Sequence, residues 1–118
     1  MRALLAAVLV ASALGACAAT VPATCEELNQ NPPPPLSCDQ AIAAGRAQFA
    51  TTPGITELTV QYGGICPPNA RCLAATGNLA TVFATLEDGS QLYVTVSIGQ
   101  DGSVRSDAPQ PVPPELGP

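Results

Sequence analysis

Five cysteines, nine carboxylates and four arginines are the residues of this 118-residue chain with chemistry to offer, and histidine is absent. Without imidazole there is no Ser-His or Cys-His pair, no general base of the usual near-neutral kind and no nitrogen ligand for a mixed metal site. Cys25, Cys38, Cys66 and Cys72 are separated by 12, 27 and 5 residues. The paired C-x₂-C knuckles of a zinc ribbon and the C-x-x-C of a thiol-exchange site are both missing, so structural bridging is the chemistry left to these thiols. Two carboxylates facing each other across a sugar can hydrolyse a glycoside. Here Asp88 and Asp101 each precede a glycine in a turn sequence, and Asp39 falls in a first helical turn, where it answers the dipole. Glu26, Glu27, Glu57, Glu87, Asp107 and Glu115 fall mostly in turns and flanking segments. Asp101 and Asp107 come nearest to a calcium pair, with no EF-hand loop or dense acidic cluster around them. The expectation is a protein that is not an enzyme and carries no metal or cofactor.

The same inventory narrows the partners. A net charge of -5 with no lysine provides no cationic surface for a phosphate backbone, which argues against nucleic acid. Two phenylalanines and two tyrosines are too few for the exposed aromatic platform of a carbohydrate binder. Phe49 and Phe83 read as core residues, and Tyr62 and Tyr93 fit either core or surface.

The fifth cysteine, Cys17, closes a segment of different character. Residues 1–16 read MRALLAAVLVASALGA, with Arg2 the only charge and a largely apolar run after it. That run is about a dozen residues against about 20 needed to span a bilayer, so a cleaved export signal fits better than a permanent span. Leu14-Gly15-Ala16-Cys17 resembles the lipobox of bacterial lipoproteins: an aliphatic residue, two small ones that let a peptidase approach the backbone, then the obligatory cysteine. The resemblance implies a diacylglyceryl group on the Cys17 thiol, cleavage before Cys17 and a freed amine open to acylation. Two or three acyl chains, at about 0.8 kcal/mol per buried CH₂, hold a small domain on a membrane without a spanning helix. The expected location is the cell membrane or the outer membrane, facing the extracytoplasmic side. Ala18, at the second mature position, is not the aspartate associated with inner-membrane retention in two-membrane bacteria. The competing expectation is an ordinary signal peptide cut after Ala18, which releases a soluble protein.

Either way Cys17 leaves the disulfide count, and four cysteines remain in a chain sent to an oxidising space. Four allow three connectivities. Cys66 with Cys72 is the local pair, closing a loop that carries Arg71 as a candidate contact residue, and Cys25 with Cys38 then follows. Cys38 bridged to Cys66 or Cys72 instead staples helix to sheet.

The elements that must position these groups follow from local pattern. Residues 17–35 are polar and end in four prolines, the mark of a tether, with Thr24-Cys25-Glu26-Glu27 as a capping box for one short helical turn. Residues 36–107 form the small extracytoplasmic domain. In it Ser37-Cys38-Asp39-Gln40 is a second capping box, Leu36 a staple onto Ala41, and Cys38, Ala41, Ile42, Gly45 and Phe49 one apolar helix face, stopped at Thr51-Thr52-Pro53-Gly54. Thr56, Leu58, Val60 and Tyr62 alternate with polar residues as a strand with one buried face. Residues 78–87 and 90–98 flank Asp88-Gly89 as a hairpin, with Leu92, Val94, Val96 and Ile98 facing the core. A two-residue turn sets Leu79, Thr81, Phe83 and Thr85 beside that stripe. A three-residue turn with a glycine bulge sets Ala80, Val82, Ala84 and Leu86 there, and is favoured because it buries Leu86 with Val82. Residues 100–103 turn again towards a short edge strand at Val104. Residues 108–118, with five prolines, read as a disordered tail and solvated spacer. The fold expected is α+β, one helix packed on a twisted antiparallel sheet of three to four strands and stapled by disulfides.

Ala41-Ile42-Ala43-Ala44, then Pro53-Gly54-Ile55 with Leu58 and Val60, then Leu92-Tyr93-Val94-Thr95-Val96 and Asp101-Gly102-Ser103-Val104, is similar to the helix-plus-hairpin order of PepSY-like extracytoplasmic domains. The loop Cys66-Pro67-Pro68 to Cys72 also resembles that of small bacterial lipoproteins. The PepSY-like resemblance implies a non-catalytic envelope domain that binds or restrains a partner protein. The expected partners are thus the membrane, through the N-terminal lipid, and a protein or envelope component. The alternative is a secreted soluble inhibitor or modulator that uses the loop between Cys66 and Cys72 as its contact.

Overall fold

A computed structural model of the chain describes residues 20–28, 31–65 and 77–113. The order is β1 (Ala23–Cys25), α1 (Cys38–Gln48), β2 (Ile55–Tyr62), β3 (Leu79–Leu86), β4 (Gln91–Ile98), β5 (Val104–Ser106) and β6 (Gln110–Pro111). The sheet runs β1-β2-β3-β4-β5, with β6 also paired to β4. The class is α+β with one helix on a sheet, but the sheet is six-stranded and mixed, since β1 runs parallel to β2. A parallel pair needs a long crossover, and α1 supplies it as a β-α-β unit.

Ser37 starts the helix as expected. Its hydroxyl accepts from Gln40 N at 3.1 Å while Ser37 N donates to Gln40 Oε1 at 2.9 Å. Cys38, Ala41 and Gly45 are buried on one face and Phe49 caps the C-terminus fully buried. Beneath them lie Leu58 and Val60 of β2, Ala80, Val82 and Ala84 of β3, and Val94 and Val96 of β4. The register that makes this possible is the three-residue turn: Val82 pairs with Val94 and Ala84 with Leu92. Leu86 N donates to Ser90 O at 2.8 Å, and Gly89 takes the positive φ of 88° that the glycine bulge requires.

Three local expectations are corrected. Thr56 does not face the core: a β-bulge between Ile55 and Glu57 puts two residues opposite one, so Ile55 is buried and Thr56 exposed. Thr24-Cys25-Glu26-Glu27 is not a helical turn, because Ala23, Thr24 and Cys25 pair with Leu58, Thr59 and Val60. Phe83 is not in the core under α1. It pairs with Tyr93 on the opposite sheet face and is only half-buried there.

The folded unit also reaches beyond residues 36–107 on both sides. β1 lies in the stretch expected as tether, and β6 in the stretch expected as disordered tail. Both protect sheet edges, whose unpaired amides otherwise template aggregation. β5 covers β4 from Val96 to Ile98, and β6 covers Leu92 and Tyr93. Between them Asp107 closes the gap, its Oδ1 accepting from Thr95 N at 2.7 Å and its N donating to Thr95 O at 3.2 Å.

Candidate binding cleft beside the disulfide

Cys25 and Cys38 are bonded, with Cα atoms 6.0 Å apart. The bond ties the end of β1 to the first residue of α1. Cys17, Cys66, Arg71 and Cys72 lie outside the described residues, so the lipidation site, the local bridge and the loop contact are not placed. No helix among the described residues is long and apolar enough to cross a membrane.

Beside the bond lies a cleft of about 290 Å³. Leu28, Pro33 and Pro34 give it apolar lining, Cys38 brings the disulfide, and Ser37, Glu27 and Tyr62 are its polar side chains. Tyr62 is held firmly: its hydroxyl donates to Leu36 O at 2.6 Å and stands 4.0 Å from Cys38 Sγ. Because the phenol has one proton and gives it to Leu36, its oxygen has acceptor capacity left. Burial, and then the Glu27 carboxylate, push the Tyr62 phenol above its ordinary value. Sequence reasoning missed this grouping, since Glu27, Pro33 and Tyr62 meet only through the β1–β2 pairing and the disulfide.

A second, open groove of about 280 Å³ runs along β4 and β5, lined by Thr95, Ser97, Arg105, Ser106 and Asp107. Asp107 is already committed there to the backbone of Thr95, so this groove is part of the edge closure.

Asp88 and Asp101 serve their own turns. Asp88 Oδ1 accepts from Ser90 N at 2.9 Å and from Ser90 Oγ at 2.6 Å. Asp101 repeats this with Ser103 at 3.0 and 2.7 Å. The serine bonds hold both carboxyls below their ordinary range. Asp39 is exposed in the first turn of α1. Among the described residues no group of three or more Cys, Asp or Glu side chains is arranged to hold a metal ion.

No protein-family model, curated protein or solved structure matches this chain. The described residues alone therefore define the class: a small disulfide-stapled α+β domain with an acidic cleft at its N-terminal edge.

Proposed function

We propose that the chain is a lipid-anchored extracytoplasmic bacterial lipoprotein whose domain binds a protein or envelope component without catalysing a reaction. The observation that carries this reading is Leu14-Gly15-Ala16-Cys17 behind a short apolar run. The Cys25–Cys38 bond supports it, because such bonds persist in oxidising compartments. The resemblance of the helix and hairpin order to PepSY-like domains supports binding over chemistry.

The position of β1 refines the picture. Five residues separate Cys17 from Ala23, a reach of roughly 20 Å at full extension. A domain anchored at Cys17 therefore sits close against the bilayer, with β1 as its first built element. The test is growth with an alkyne-tagged palmitate. Label on the protein, lost in Cys17→Ser together with membrane fractionation, supports the anchor. Unlabelled protein in the soluble fraction supports the secreted modulator instead.

A further inference from the structure

We propose that the cleft beside the Cys25–Cys38 disulfide receives a lysine side chain of a protein partner, an inference that rests on the binding reading above and names what is bound. Volume gives the first argument. At about 290 Å³ the cleft lies at the lower limit of small-molecule sites, which run from about 300 to 1,000 Å³. It suits one side chain better than a cofactor.

Lining gives the second. Leu28, Pro33 and Pro34 match an aliphatic stem, while Glu27 and the acceptor oxygen of Tyr62 match an ammonium head. None of the described residues lining the cleft is basic, and the chain as a whole is net negative. An ammonium is a compact donor on a flexible stem and needs no fixed fork geometry from its site.

The N-terminus of α1 also borders the cleft and taken alone favours an anion. That tendency is already answered: Ser37 Oγ takes the amide of Gln40, and Asp39 stands in the first turn. The carboxylate of Glu27 then sets the sign of the site.

The test titrates the mature protein, extracted from its membrane in detergent and isotopically labelled, with the peptide acetyl-Ala-Lys-Ala-amide. Amide shifts are expected to converge on residues 27, 28, 37 and 62. Acetylating the lysine, or Glu27→Gln, is expected to weaken binding about threefold to fivefold, the upper end for an exposed ion pair such as Glu27 would make. Glu26→Gln removes the same charge from an exposed neighbour outside the cleft and is expected to leave binding unchanged. Equal binding of the acetylated peptide, equal loss in the two glutamine variants, or shifts outside the cleft overturn the proposal. The N-terminal mass of the same sample is read separately, so a missing lipid and a missing ligand are distinct results.

Discussion

Gly45 of α1 lies so close to Val82 of β3 that a Cβ on the glycine would stand 2.6 Å from Val82 Cγ1. Val82 is fully buried at the centre of the sheet, so it has no free volume to retreat into. The missing side chain is what lets the helix settle on the sheet.

Gly45→Ala sets two effects against each other. Alanine improves helix propensity by about 1 kcal/mol, and overpacking costs about 1–3 kcal/mol. With a 2.6 Å contact to a buried branched side chain, overpacking wins and the melting temperature falls. Val82→Ala opens the space, so Gly45→Ala is expected to cost less in that background. Thermal melts of the four proteins in the cycle check this, and additive losses contradict it.

Cys25 and Cys38 close a short loop, 13 positions apart, worth about 3 kcal/mol in the loop-entropy account. Beyond that bond β1 is held by three residues of parallel pairing, Pro22 O accepting from Leu58 N at 2.9 Å, and Val21 O accepting from Arg46 Nη1 at 2.9 Å. Cys25→Ala with Cys38→Ala is therefore expected to lower the melting temperature. Hydrogen exchange should rise first in β1 while β3 and β4 stay protected. Uniform loss of protection argues that β1 is integral to the whole sheet.

The two Asp-Gly-Ser turns make stability depend on acid. In the folded chain the Asp88 and Asp101 carboxyls sit below their ordinary value of 3.8. Their contribution is present in full above that value and is lost as pH falls through the lower, folded one. Denaturation midpoints should therefore decline on acidification below about pH 4. In a variant with Asp88→Asn and Asp101→Asn that part of the decline should flatten. A profile identical to the parent assigns the acid sensitivity to other groups.

Much of this fold could be read from local sequence. Ser37 and Gln40 announce the helix because a capping box is made within four residues. Asp88-Gly89 announces the hairpin, and the preference for burying Leu86 with Val82 chooses the register observed. What escaped was non-local. Nothing in Ala23-Thr24-Cys25 reveals a partner more than thirty residues away, and its glutamates mimic a helix start. Pro109, Pro111 and Pro113 argue against a strand, yet Pro111 stands on the outer edge of β4, where a missing amide does no harm. Thr56 kept the alternation of β2 in sequence, and only the bulge moved it outward. The cleft was hidden for the same reason, since the β1–β2 crossover is what carries Glu27 to Tyr62.

Cys17 decides whether the domain is anchored. Intact mass and fragmentation of the mature N-terminus, from protein taken directly from its native membrane, test it most directly. The expected result is a chain that begins at Cys17 and carries a diacylglyceryl group on its sulfur. An unmodified chain that begins at Ala19 contradicts it.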